Sequence, residues 1–466
     1  MADKPAHIIQ KQLYDIAVPT EKVGIKVQQS LNEVTLQYLL PALGSKLDEL
    51  FHDDAIVVIE KLELNLGVIN ANADPQEWVD KMMSGLENAM QQLVHPKVTT
   101  ITPGLVRLSK AQYAARVWLY FLKTGMLLPE CIFKNIAAVK EVLWNLTTLE
   151  KELVKDEFLK PAYTSTILQR VVSLSRKEFF LFLQLFVPNV SEKEWDVLCE
   201  KIDNILQGAT QHRKFAERVT VKVFQKTLYI FLLETIIQLA KEGRMILPNE
   251  LIKAVEDWST GMLLKDNTSN ERLAYKEEAS TTEIGKLENV DIEQEQGLPG
   301  KGIFVGNVGI CLLAPYLPPF FKELNLGDGA QFYTPAKQQQ AIFLVHHLAT
   351  GEEDASEEKL VFAKLLCGWP LLMPCLLEDE ISAKEKEESI ELLQSVIGHW
   401  AVLKNTSPDG LREAFLQRDG KLTDDGDNYI LQVAQQTLDI LLDQVPWTFR
   451  MIKFPWMKKM VVVEWY

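Results

Sequence analysis

In IVVIEKLELNLGV (56–68), Leu62, Leu64 and Leu66 alternate with Lys61, Glu63 and Asn65. A period of two sends one set of side chains to one face, which predicts a half-buried β-strand. HIIQKQLYDI (7–16) is also β-rich. Between them, VGIKVQQSLNEVTLQYLL places Val27, Leu31, Val34 and Tyr38 at helical spacing. Pro41 is expected to end or kink that helix, because proline lacks the backbone donor that the next turn requires. Residues 1–75 therefore read as a strand-helix-strand module.

Residues 76–264 read as helical throughout. WVDKMMSGLENAMQQLV, KAQYAARVWLYFLKTG, EFFLFLQLFV and KTLYIFLLETIIQLAKEG are apolar over wide faces, and HPK (95–97) and LPE (128–130) mark turns between such stretches. No fixed-length repeat recurs, so a solenoid is not indicated. As one helix this region would reach about 280 Å at 1.5 Å per residue. Its wide apolar faces instead favour folding back into a compact bundle. Residues 265–300 change character, with nine acids, four bases and a single aromatic, Tyr275. So little apolar surface does not offset the entropy of ordering, and a flexible acidic linker is expected.

Residues 301–466 carry the clearest boundary signals. Thr334-Pro335 and Ser407-Pro408 each place a capping side chain before a first-turn proline. Ser382 and Glu385 have capping-box spacing, and Glu357 and Glu358 follow Ser356 where acids complement a helix dipole. Gly351, Gly368 and Gly420 stand where helices are expected to stop. Ile390, Leu393, Ile397 and Trp400 form one helical stripe. After Gly420 the period shortens: NYILQVAQ, WTFRMIKF and MVVVEWY predict strands of a small antiparallel sheet at the end of the chain. The fold class expected is α+β and mainly α-helical, with a small mixed or antiparallel sheet in which N-terminal strands join C-terminal ones. Four segments follow: the module 1–75, the helical region 76–264, the linker 265–300, and the domain 301–466.

Composition narrows the function. A chain of 466 residues is expected to divide into about two to four domains. It is 47% hydrophobic and 24% charged, a globular profile, and its formal charge of −15 argues against nucleic-acid binding. FFLFLQLFV (179–187) and TLYIFLLETIIQLA (227–240) fall short of the roughly 18 apolar residues of a membrane span, so no membrane partner is expected. MADKPAHIIQKQLYD lacks the apolar core of a signal peptide. Cys131, Cys199, Cys311, Cys367 and Cys375 are scattered, as in a reduced cytoplasmic protein without a disulfide framework.

Candidate chemistry is thin. GLPGKGIFVGNVG (297–309) fails as a phosphate loop: Glu295 stands where the first glycine belongs, and Gly302 follows Lys301. His346 and His347 are adjacent on a predicted helix, so they do not share a face, and one is expected in the core with the other exposed. Cys367 and Cys375 flank Trp369 without a second pair at zinc spacing. The acidic runs GEEDASEE (351–358) and KEKEES (384–389) read as solvated helix starts. The sequons at Asn145, Asn189, Asn267 and Asn405 carry no meaning without secretion. No catalytic constellation, metal or cofactor is expected.

Two parts of the chain together are similar to a known family. The first is HIIQKQLYDI with VVIEKLELNLG. The second runs through GNVGICLLAPYLPPFFKELNL (306–326), AIFLVHHLATG (341–351), KLVFAKLLCGWPL (359–371), LLQSVIGHWAVLKNTSPDGLREAFLQRDG (392–420) and LDILLDQVPWTFRMIKFPWMKKMVVVEW (438–465). They resemble the contractile injection system tape measure family, whose members are encoded with phage-tail-like particles of the antifeeding-prophage type. The central region corresponds by position only. The resemblance implies a non-enzymatic part in building a particle whose contractile sheath surrounds an inner tube on a baseplate. A tape measure sets tube length by spanning the lumen during assembly. The implied partners are tube, baseplate or cap subunits, with self-association also compatible. The implied location is the cytoplasm during assembly, with retention in the released particle left open. A short member lacking a long extended middle would serve instead as an adaptor, or as a chaperone that leaves before the particle matures.

No catalytic residue carries over. Asn307, Pro315 and Pro318 are expected to break a helix, and Trp400, Asn405, Arg412 and Arg418 to share one helix-turn-helix. Arg412 and Arg418 read as carboxylate partners inside the fold or as contacts to another protein. The tryptophans of the chain end read as core or edge cover, or as an assembly contact. The candidate partner-binding residues are Trp369, Arg412, Arg418, Trp447, Trp456 and Trp465.

Overall fold

The computed structural model describes residues 7–9, 12–51, 55–59, 61–70, 73–94, 105–129, 131–187, 190–211, 221–244, 247–264, 302–377, 380–403 and 405–465. The expected linker 265–300 lies outside the described residues. The chain forms two compact units, Met1–Ala114 and Ala115–Tyr466.

In the first unit, α1 (Glu21–Val34) does not stop at Pro41. It widens into a π-turn (Thr35–Leu39) and continues as α2 (Leu40–Leu50), with the proline in the first turn of α2. A first-turn proline forfeits only a hydrogen bond that the wide turn has already given up. The extra residue of the π-turn also rotates the apolar stripe by one position. Leu39, rather than Tyr38, is buried, and Tyr38 is 42% exposed. Leu39 and Leu43 pack with Val79, Met82 and Leu86 of α3 (Pro75–Val94).

The strand readings here need correction. Residues 7–9 and 12–16 form no strand; the Tyr14 hydroxyl instead bonds to Thr35 Oγ1 at 2.8 Å. β1 is only Ile56–Ile59. Beyond it, Leu62, Leu64 and Leu66 are half-buried and the residues between them exposed, so the alternation reports burial, but no ladder partner among the described residues makes it a strand. β1 pairs antiparallel with β2 (Leu105–Leu108), Ile56 opposite Leu108. β2 interrupts a region expected to be helical throughout. Its four residues are too short to announce a strand, yet they supply the ladder that β1 needs. Among the described residues the expected joining of N-terminal strands to the C-terminal sheet does not occur: a two-stranded and a five-stranded sheet form instead.

The second unit begins within α4 (Lys110–Thr124). α5 (Ile136–Trp144), α6 (Thr148–Leu159), α7 (Ser165–Val172), α8 (Arg176–Gln184), α9 (Glu192–Gln211), α10 (Val221–Lys241) and α11 (Pro248–Leu264) follow. Reciprocal capping boxes at Thr147/Glu150 and Ser175/Glu178 start α6 and α8 and punctuate the region into short rods. The rods fold back on an aromatic core in which Phe158, Phe182 and Phe186 meet edge to face and Phe179 stacks on Tyr229 at 3.9 Å.

β3 (Ile303–Val305) opens the C-terminal part. The predicted broken helix follows, as a 3-10 segment (Val308–Tyr316) and then α12 (Leu317–Glu323). Asn307 precedes it in the left-handed region at φ 56 but makes no side-chain cap. α13 (Pro335–Thr350) is capped by Thr334, whose Oγ1 accepts from Lys337 N, and closes on left-handed Gly351. A 3-10 turn (Glu357–Leu360) and α14 (Val361–Leu366) precede α15 (Ala383–His399), which starts with the Ser382/Glu385 capping box. Ser407 caps α16 (Pro408–Leu411), which widens into a π-turn (Arg412–Leu416). On α15, Leu393 and Ile397 are buried, as is Trp400 just beyond it.

β4 (Gly420–Asp424), β5 (Asn428–Val433), β6 (Met451–Ile452) and β7 (Met460–Glu464) complete a sheet of order β3-β4-β5-β7-β6. It is mixed rather than antiparallel, because β5 and β7 run parallel. A crossover containing a 3-10 helix (Thr437–Gln444) carries the chain past β5 before β7 enters. Gly420 opens a strand instead of ending a helix: a Cβ there would lie 2.8 Å from Gln432 O and 2.9 Å from the Val308 side chain. Within WTFRMIKF only Met451 and Ile452 join the ladder. Ile303, Val305, Leu422, Leu431, Val461 and Val463 face the core.

Candidate functional site

The densest polar constellation joins the helical region to the C-terminal part. Arg170 of α7 is buried and uses every N–H it has. Nε and Nη2 donate to the two carboxylate oxygens of Glu357 at 2.8 and 2.9 Å. Nη1 donates to Leu122 O and Lys123 O at the end of α4, and Nη2 also to Leu372 O. Lys364 Nζ of α14 donates to Glu357 Oε1, to Met373 O and to Leu371 O. Burial pushes the Glu357 carboxyl up, and Lys364 and Arg170 more than offset it, so its pKa lies below the usual range. Burial pulls Lys364 down, only partly opposed by Glu357. Gly125, left-handed at the end of α4, lies against the Glu357 carboxylate, where any Cβ would collide. Two cations and one carboxylate so saturated form a latch between segments 187 residues apart in sequence. The acids after Ser356 thus do more than complement a dipole: Glu357 turns inward, while the Ser356 hydroxyl bonds to Glu358 rather than capping the backbone.

The six candidate residues are placed largely inside the fold. Arg418 Nη2 donates to Asp439 Oδ1 at 2.8 Å, and Trp465 Nε1 donates to Asp439 Oδ2 at 3.0 Å. All three are buried, and the guanidinium lies 5.9 Å from the ring centres of Phe415 and Trp465. Arg412 donates to the carbonyl of Leu348 in the last turn of α13 and to that of His347, which also accepts from Gly351 N, and pairs with Asp409 at 2.8 Å. Trp447 and Trp456 are half-buried, donating Nε1 to Leu312 O and Leu366 O, each at 2.8 Å. Trp369 is half-buried, with Nε1 3.4 Å from Met373 O. The apolar chain end is therefore a pinned strand.

Both histidines of the His346-His347 pair are buried, against the expectation that one would be exposed. α13 is apolar on nearly all sides, so adjacent positions both meet neighbours. Burial lowers the His346 pKa to about 4, and neither ring nitrogen makes a hydrogen bond; Glu352 Oε2 lies 3.7 Å away. His347 Nδ1 lies 3.1 Å from Glu352 O. Cys367 and Cys375 are buried, and burial pushes the Cys375 thiol up to about 12. Among the described residues no group of three or more His, Cys, Asp or Glu is arranged to hold a metal ion. In the glycine-rich stretch, 297–301 lie outside the described residues and 303–305 are β3.

Sequence reasoning missed the outward face of the five-stranded sheet. Phe304, Lys421, Gln432 and Glu464 form one row across it, and Thr423, Ile430, Val462 and Met451 the next. Phe304 is 69% and Met451 67% exposed. The alternation in NYILQVAQ and MVVVEWY held this signal, but the register that builds the rows is tertiary. The first unit carries an open cleft of about 380 Å³ between α1 and Trp78, lined by Val27, Leu31, Val34 and Tyr38.

A family model described as contractile injection system tape measure protein matches residues 6–465, including the central region. No curated protein and no solved structure matches the chain. No helix among the described residues is long and apolar enough to cross a membrane.

Proposed function

This chain belongs to the contractile injection system tape measure protein family, and from that membership we propose a non-enzymatic role in building the particle, as a folded body that contacts tube, baseplate or cap subunits in the cytoplasm. One observation carries the folded-body reading. Among the described residues, the helical region that a ruler would extend is divided into short rods, the longest of 21 residues. That rod spans about 31 Å at 1.5 Å per residue. The Arg170–Glu357–Lys364 latch ties α7 and the end of α4 to the C-terminal part, which opposes extension.

The test is particle fractionation from the native host, with sheath and tube proteins as markers. A fixed low copy number in the particle pellet supports a built-in role. Protein found only in the supernatant, with particles lost on its deletion, makes it a departing chaperone. Normal particles without it overturn the assembly reading. Adding or deleting a helix pair within 136–264 then separates body from ruler: tube length measured by electron microscopy stays constant for a folded body and scales with the change for a ruler.

A further inference from the structure

The outward face of the C-terminal sheet has a self-complementary pattern. β5 is the central strand, with two strands on either side. A two-fold axis parallel to β5 and just above it lays β5 over its own copy and exchanges β4 with β7. The row through Gln432 then sets Lys421 of each copy over Glu464 of the other, twice by symmetry. In the next row Ile430 meets its own copy and Thr423 meets Val462. Met451, prominent on the edge strand β6, lies over the opposite edge at Gly302, which has no side chain to obstruct it.

The charges are free to serve in this way. Among the described residues Lys421 makes no ion pair, and the carboxylate of Glu464 is engaged only by the neutral Gln432 side chain, at 2.9 Å. Ile430, Val462, Met451 and Phe304 are not part of the core cluster that fills the inner face. The other in-plane two-fold axis, perpendicular to the strands, would lay Glu464 on Val462 and Gln432 on Ile430 if placed between the rows, burying polar groups against apolar ones, or Lys421 and Glu464 each on its own copy if placed along the first row, opposing like charges. Aligned sheets packed about 10 Å apart leave room for a lysine and a glutamate to meet.

We propose that this face is the contact between two copies of the chain, stacked sheet on sheet about an axis along β5, with Lys421 of each paired to Glu464 of the other. Five strands at about 4.8 Å spacing make a face well below the roughly 800 Å² per partner of a standard interface. The association is therefore weak and reversible, favoured where copies are concentrated.

Sedimentation velocity of the full chain over a micromolar concentration series tests it, with Lys421→Glu, Glu464→Lys and the double exchange. Each site lies on the solvent side, and circular dichroism verifies that each variant is folded. The expected result is a concentration-dependent dimer weakened about tenfold by either single change, which opposes like charges. The double exchange returns dimerisation to near the starting level. A monomer at every concentration overturns the proposal and leaves the face to a different protein. A dimer indifferent to the single changes, or single losses that the double exchange does not repair, equally overturns it.

Discussion

The two ends of the chain both carry the family-like pattern, yet they are built very differently. The N-terminal unit buries a cluster of Leu39, Leu43, Val79, Met82 and Leu86 beside a two-stranded ladder. Around that small core Leu13 is 77%, Leu36 58% and Val68 89% exposed. Thr20 makes no side-chain cap at the start of α1. The C-terminal part sets a five-stranded sheet and several helices around one large core, and side chains cap α13, α15 and α16. A two-stranded ladder shields one face poorly and is marginal by itself, whereas five strands backed by helices close a core. Apolar periodicity at both ends therefore predicts burial, but self-sufficiency depends on how many elements share the core.

The contrast is most severely tested at the latch. Arg170→Met leaves a buried carboxylate short of its guanidinium partner and is expected to cost about 3–5 kcal/mol. Denaturant unfolding of the second unit should then separate into two transitions, helical region and C-terminal part; a single transition at unchanged midpoint would refute the latch. Next comes Leu39→Ala, at about 2–5 kcal/mol for a fully buried leucine. Its loss should stay local, with amide exchange accelerating over 21–94 and holding steady over 302–465. Equal acceleration in both regions would erase the distinction between the units.

A pH experiment probes the C-terminal core alone. His346 is held neutral by burial, at a pKa of about 4 against an ordinary 6.5, with Glu352, Lys359 and His347 as its titratable neighbours, the last likewise pulled down by burial. The unfolded chain takes up that proton more readily. Stability is unaffected above about pH 6.5 and falls as pH drops from 6.5 toward 4. His346→Phe should flatten the fall in that window, read by thermal melts at stepped pH; an unchanged slope would exclude His346 as its source. The smallest effect is Ser382→Ala, which removes one half of the capping box and is expected to cost about 1 kcal/mol. A cost near zero would mean that neighbouring packing, rather than the cap, fixes the start of α15.

Local signals were legible. Thr334, Ser382 and Ser407 cap helices as their spacing implies, and the tryptophan-rich chain end enters a sheet. Even the alternation at Leu62, Leu64 and Leu66 reported burial correctly. The failures share one form. Tyr38 and Leu39 exchanged roles because a π-turn adds a residue that spacing alone does not reveal. Gly420 reads the same as a helix stop or as a site of close strand approach. The Lys421 and Glu464 rows were invisible until register placed Gln432 between them.

What the sequence by itself determined is whatever acts within a turn or two of its own position: caps, periods, and the surplus of apolar residues at the chain end. Only the tertiary structure decided which of many equivalent partners meet. It chose β2 for β1, set β7 parallel to β5, brought Arg170 to Glu357 across 187 residues, and enclosed both histidines of α13. The physical reason is that hydrogen-bond ladders, ion pairs and burial have no preference for sequence distance. Any donor fits any acceptor of the same chemistry, and the packing of the whole core selects among them.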